Sequence, residues 1–562
     1  MRISLPFAAL IALTLGATAC GGPSEGAKHP TEAAAGSGAT TTAAAVADNA
    51  IMVKAIDIKG MVFEPEALNF PGVPLVQAKQ KVTLDKQRQV YASTKDPVLK
   101  QAQAAVLATL LYEKSKAAAN DADKQALLKE VVSTLTDVRD AVGGNEKADA
   151  VTLRLLATYT LMTGDVATSE GAWAALDALA LKDKEKDEPI FRAWWTLTLL
   201  KQHKNVEALA AVKDVTPSEK FPELAYVTAW AKWLTYDDAG AWQAIVITAK
   251  GWKDMPQRDV VDRDVMLLAG RVRGASFSDV VSQLTPIYIG PKPNPDLAYK
   301  LFLNLGLQTY QYAGRWDDGI KALDKAVEVI GDKLAPNALP GIRYSQAKYA
   351  VALDDPDNTL KLAKQALDAQ TACGAKCTEQ EKTNLALFIA FNVGRVYFNM
   401  YSPAHDDRFL KPAQGAYEIA VPLITDPTNR TNAAAEKSAL DKTFAAMKHD
   451  AGKFDERSAA TIVNVHNQEV QACYEQSLAA NPQLAGALVV HVEVDQTGAV
   501  TGFRSEPAKG LADMAAVASC VEERVRGWKL PRLINGSAPK SKTTIQVSYN
   551  LAARKPDAKP GK

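Results

Sequence analysis

The chain has 562 residues, 47% of them hydrophobic and 23% charged. That length is too great for a single core, and the composition is that of a folded protein. Lys and Arg total 65 against 64 Asp and Glu, a formal charge of +1. No chain-wide field therefore favours nucleic acid, whose binding draws on many phosphate-neutralising cations. Six His and five Cys leave little material for a multi-metal or haem protein.

Met1-Arg2, the apolar run Ile3 to Leu15 and the small residues Gly16-Ala17-Thr18-Ala19 have the layout of a secretory signal. The run falls short of the ~18 apolar residues a membrane helix needs. Because it ends on Cys20, the segment resembles a bacterial lipobox, with Ala17 a weaker fit than Leu at the first position. The resemblance implies removal of residues 1–19 and lipidation of Cys20, hence a membrane anchor. The alternative is an ordinary secretory signal with an incidental Cys. Residues 20–49 lack aromatics and periodicity and predict a flexible tether. Gly21 after Cys20 points to the outer membrane under the enterobacterial sorting rule.

Residues 50–97 read as an irregular segment, with Pro65, Pro71 and Pro74 breaking any helix. From 98 to 450 the chain is Ala/Leu-rich at helical spacing, which predicts an all-α array. Its clearest unit runs from Leu301 to Ile330. There Tyr310, Gly314, Trp316, Gly319, Leu323 and Ala326 fall where a tetratricopeptide repeat has its aromatic, small and bulky positions. Its first helix fits only after a one-residue shift at Leu305-Gly306. Weaker copies carry Gly164 with Trp173, Ala363 with Ala366, and Gly394 with Tyr397 followed by Ala413, Tyr417 and Ala420. The region resembles a divergent tetratricopeptide-type α-solenoid; another α-solenoid family is the alternative. Its eight Trp (173, 194, 195, 230, 233, 242, 252 and 316) are expected to fill grooves between helices and not to stack on ligands. The Asp354-Asp355-Pro356-Asp357 turn lacks the Gly and Glu of a calcium loop and reads as a helix cap.

No phosphate loop, zinc-protease motif or nucleophile elbow occurs. His29 falls in the tether, and His203, His405 and His449 in charged turns. His405-Asp406-Asp407 is the one cluster with acid–base potential, and its setting reads as a solvated loop. Cys373 and Cys377 have no nearby second pair for zinc and read as a short-range disulfide. No catalytic, cofactor-binding or metal-binding residue is expected.

Across 458–553 the order is α-β-β-α-β, helices on one face of a small antiparallel sheet. Ile462, Val465, Val470, Cys473 and Leu478 mark a first helix, and Leu488, Val490, Val492 and Val494 a strand's buried side. Asp495 to Gly498 is a hairpin turn, and Leu511 to Trp528 a second amphipathic helix ended by Lys529-Leu530-Pro531. Thr543 to Leu551 is the last strand. In this register His491 faces solvent. Residues 554–562 read as a disordered tail.

Val470 to Leu478 (VQACYEQSL), Asn481-Pro482, Gly486 to Val494, Asp495 to Val500, Ala518 to Val521 (ASCV) and Trp528 to Pro531 (WKLP) resemble the AgmX/PglI C-terminal domain. That family is similar to the TonB C-terminal domain and is associated with gliding-motility and envelope proteins of myxobacteria. Leu530 stands where the family usually has an aromatic. The resemblance implies a periplasmic interaction domain without catalytic residues. Cys473 and Cys520, on the apolar sides of helices covering one sheet face, are expected to be disulfide-bonded; two buried free thiols are the alternative. The chain thus reads as mainly α, a TPR-like helical-repeat array followed by a small α+β domain. Its expected function is that of a non-enzymatic, lipid-anchored envelope scaffold binding other envelope proteins and no nucleic acid. A TonB-like energy coupler and an unrecognised cell-wall enzyme are the alternatives.

Overall fold

The computed structural model describes residues 50–66, 75–77, 82–179, 189–251, 257–290, 294–404, 407–447, 454–507, 513–532 and 542–554. They group into two compact units. One holds the strand residues up to Ile58, Gly314–Val470 and Gly486–Leu551. The other holds Lys59–Ala313, Gln471–Ala485 and the chain from Ala552 onward.

In the second unit, helices pack against their sequence neighbours: Pro97–Lys116 on Asp121–Ala141, Ala150–Thr163 on Val166–Ala178, Pro189–Lys201 on Asn205–Val212, and Pro222–Leu234 on Asp238–Gly251. Short polar residues start four of them. Asp96, Asn120, Asp149 and Asp165 each accept a backbone N–H of the first turn, satisfying donors that lack a helical partner. Gly164 closes its helix at φ +87°, a left-handed conformation that Gly adopts without penalty. Trp173, Trp194, Trp230 and Trp233 are at most 1% exposed. Trp173 meets Phe191 edge-on at 5.0 Å, and Trp230 meets Trp233 at 5.7 Å. These indoles fill inter-helix space; Trp252 lies outside the described residues. The one-residue shift at Leu305-Gly306 has a structural cause. Leu305–Tyr310 is a π-helix, whose wider turn absorbs one extra residue without breaking the helix. Ala390–Gly394, in another repeat copy, is also a π-helix.

The first unit continues the repeats with Trp316–Ile330, Leu339–Ala352, Pro356–Ala372, Glu379–Ile389, Arg395–Ala404, Asp407–Ala420 and Pro427–Met447. Asp355 accepts from the Asn358 N–H, so the acidic turn is a helix cap. Gly394 lies under the Tyr417 ring, where an added Cβ would sit 2.5 Å from a ring carbon. Cys373 and Cys377 are disulfide-bonded with Cα atoms 5.8 Å apart, between Pro356–Ala372 and Glu379–Ile389.

The α-β-β-α-β order is present as Glu456–Ala480, β2 (Gly486–Val494), β3 (Val500–Pro507), Asp513–Val525 and β4 (Thr543–Ala553). A further strand, β1 (Ile51–Gly60), precedes them in the chain, and the sheet order is β1-β4-β2-β3. β2 is antiparallel to both β3 and β4. Asn550 donates to Asp57 and the Arg554 N–H to the Gly60 carbonyl, so β1 and β4 advance together and the sheet is mixed. The irregular reading of 50–97 is therefore corrected. Val53 and Ile58 are buried strand positions, and Leu84–Ser93 is a helix. The second C-terminal helix ends at Val525, short of the expected Trp528, which instead lies in the turn after Gly527. His491 is also corrected: it is 6% exposed. β2 is an interior strand, and Arg504 and Gln546 flank His491 from the two neighbouring strands. Cys473 and Cys520 are both in the disulfide state. No helix among the described residues is long and apolar enough to cross a membrane.

Candidate functional site

Two constellations stand out, one in each unit. In the first, Glu469 is 7% exposed on the helix Glu456–Ala480. Its Oε1 accepts from the Trp316 indole N–H at 2.8 Å and lies 2.9 Å from His466 Nδ1. Its Oε2 accepts from the Trp528 indole N–H at 2.9 Å. The His466 ring stacks on Trp528 with centroids 4.5 Å apart, and Trp316 leans on Tyr349 at 5.4 Å. Burial works to raise the Glu469 pKa, but His466 and the two indole donors outweigh it and hold the carboxyl below its ordinary value. Gly314, at φ +65°, leaves the room: a Cβ there would come within 2.8 Å of Glu469 Cγ. The repeat glycine and repeat tryptophan thus tie a repeat helix to the C-terminal domain. With every carboxylate oxygen paired and the group out of solvent, this is a structural node and not acid–base machinery.

The second constellation holds a stretch of chain outside regular secondary structure. Met61 to Glu66 form no helix or strand. The Met61 N–H donates to Glu475 Oε1 at 3.1 Å, and the Glu66 N–H to Asp264 Oδ2 at 3.2 Å. Phe63 lies against the Arg271 guanidinium, 4.2 Å from ring centroid to Cζ. Glu64 pairs with Lys201 at 3.2 Å, Pro65 is buried, and Glu66 pairs with Arg263. The receiving side chains have anchors of their own. Arg271 and Glu475 form a buried ion pair at 2.9 Å, and Gln471 donates to Glu475 at 2.9 Å. The Tyr226 hydroxyl donates to Asp264 at 2.5 Å. The residues that follow Glu475 are held by the same unit: Ser477 by Tyr236 at 3.0 Å, and the Ala480 carbonyl by Asn205 at 3.2 Å. Burial pushes the Asp264 carboxyl up to about 6, against the opposing pull of Tyr226, the Glu66 N–H and Arg263; neighbouring Glu66 adds to the rise.

Sequence reasoning reached few of these residues. It passed over His466, Glu469, Asp264 and Glu475, because helix-period reading treats charged residues opposite an apolar stripe as solvated. The signal available was His466 and Glu469 at i and i+3, which share a helix face. Cys20, His29, His405, Asp406 and His449 lie outside the described residues. His203 is described, with its pKa lowered chiefly by burial. That of His491 is lowered by burial and by Arg504, with Glu506 3.3 Å away partly offsetting them. A cavity of about 530 Å³ lined by Val206, Leu209, Val212, Val215 and Lys232 brings none of the expected site residues together. Among the described residues, no group of three or more His, Cys, Asp or Glu is placed to hold a metal ion.

No family model matches the chain, and no curated protein matches it. Among solved structures, the apo form of the quorum sensor NprR from B. thuringiensis is 12% identical, with a TM-score of 0.24. The match covers 59% of this chain and 97% of that one. A likeness at that score carries no argument about function.

Glu469→Ala should cost about 3–5 kcal/mol, because it strands two indole donors and His466 in a buried setting. Urea unfolding followed by Trp fluorescence measures this; a loss within 0.5 kcal/mol, taken as roughly the scale of a surface change, would show that the node holds nothing together. For Asp264 the native pKa exceeds the unfolded one of about 3.9, so the folded chain binds more protons between them. Its contribution to stability is therefore present below about pH 4 and lost as pH rises through about 6. Relative to wild type, Asp264→Asn should remove that downward slope in the urea midpoint. An identical pH profile for the two proteins would contradict the assignment.

Proposed function

We propose that the protein is a non-enzymatic, lipid-anchored scaffold of the bacterial envelope that binds other proteins through its helical-repeat array and its C-terminal α/β domain. The observation that carries the reading is the hold on Met61–Glu66. Array helices and the first helix of the C-terminal domain together grip a stretch of chain without helix or strand, through both its backbone and its side chains. Side-chain groups aimed at main-chain N–H groups suit recognition of an unfolded segment, since every peptide bond offers such a donor. Helical repeats supply extended surfaces of this kind. The lipobox-like end at Cys20 supports membrane attachment, and the AgmX/PglI-like pattern supports a periplasmic, outer-membrane setting within a motility or other envelope complex. In that oxidising setting Cys473 and Cys520 form the second disulfide of the mature protein. It closes a loop of about 47 residues and, on the chain-entropy account, contributes on the order of 4 kcal/mol.

Crosslinking in cells followed by mass spectrometry, on wild type and Cys20→Ala, tests the anchor and the scaffold together. The wild type should pellet with membranes and crosslink to envelope proteins. Cys20→Ala should appear in the soluble periplasmic fraction. Unchanged membrane retention with no lipid mass on the N-terminal peptide would remove the anchor from the account, and an absence of protein crosslinks would remove the scaffold. A peptide map without reductant should recover Cys473 and Cys520 in one linked species; alkylation of both thiols after denaturation would rule the bond out.

A further inference from the structure

Resting on the scaffold reading, the geometry points to a peptide-recognition site formed by Lys201, Arg263, Asp264, Arg271 and Glu475. We infer that it takes an extended acidic segment of the form aromatic-acidic-Pro-acidic, and that Phe63-Glu64-Pro65-Glu66 is its resident occupant. Each position of the pattern has a receiver. The aromatic lies on the Arg271 guanidinium, a cation–π contact. The first acid meets Lys201, whose side chain is largely covered, and the second meets Arg263. Pro65 is buried, and its ring fixes φ near about −65°, which lowers the ordering cost of the segment. Carboxylates at both ends accept the main-chain N–H groups of Met61 and Glu66, setting register and direction independently of side-chain identity.

The receiver's groups also bind one another. Arg271, Glu475 and Gln471 bind one another, and Asp264 holds the Tyr226 hydroxyl. The occupant's acidic contacts are of the exchangeable kind. Glu64 and Glu66 remain 42% and 56% exposed, and ion pairs at such exposure are weak and screened by salt. Met61 and Val62 face solvent. A segment of the same chain enjoys a high effective concentration, so a partner peptide must compete with it. The site is therefore closed to weak ligands and opens to a segment that matches the pattern better or arrives in several copies.

The experiment is fluorescence anisotropy on the full chain with a labelled synthetic peptide of residues 59–69. Wild type should bind it weakly, because the resident segment is in place. The Glu64→Ala/Glu66→Ala chain should bind at least tenfold tighter, and adding Arg263→Glu should abolish the gain. A peptide with Lys at both acidic positions should not bind. A second arm leaves the protein unaltered, so that it does not depend on a variant's folding. The peptide carries benzoylphenylalanine at the Phe63 position, and irradiation should label the helix Arg258–Arg271. Equal affinity of wild type and double variant, or labelling spread over the whole chain, would overturn the inference. If envelope proteins still crosslink in cells while the peptide fails here, the scaffold reading stands and this site alone is lost.

Discussion

A carboxylate taken out of water must be paired, and the helix Glu456–Ala480 carries two of them. Glu469 and Glu475 are 7% and 1% exposed, and an unpaired charge at such depth is strongly unfavourable. Each therefore fixes its surroundings. Around Glu469 two indoles and an imidazole converge; around Glu475 an arginine, a glutamine and a backbone N–H converge. The apolar side of this helix is what a small α/β domain needs for its core. Its polar side carries both carboxylates, one held within each unit.

The repeat array was legible because its signals are local. Gly314 and Trp316 stand at fixed offsets within one helix pair, and Gly164, Asp149 and Asp355 mark helix ends through bonds to residues three or four positions away. Even the misfit at Leu305-Gly306 was a true signal, since a π-turn shifts the register by one residue. The same locality explains the failure at residues 50–97. β1 has only Val53, Ile58 and Gly60 fully covered, and its partner β4 lies at the far end of the chain. Prolines downstream of it drew the whole segment into one irregular reading.

The C-terminal domain was read correctly in element order and wrongly in what its polar residues do. His491 was placed on the correct side of β2. Its burial depends on two strands that lie beside it only once the sheet has formed. His466, Glu469 and Glu475 look like an ordinary solvated helix face until Trp316, Trp528 and Arg271 are brought to them. Partners so distant in sequence leave no periodicity to read. The residues around Met61–Glu66 were equally hidden. A Pro-containing stretch without local hydrogen bonds reads as a loop, and that same lack of internal bonding leaves its backbone N–H groups free for Glu475 and Asp264.

If Met61–Glu66 are held through their backbone, that backbone should carry a mark of it. Hydrogen exchange of the full chain at neutral pH, resolved to single amides, reads this directly. The Met61 and Glu66 amides should exchange far more slowly than those of a free peptide of the same sequence, because their N–H groups are held by carboxylates that are themselves buried. Exchange of both amides at the free-peptide rate would mean that the segment is not held. The peptide-binding account of the array would then fall.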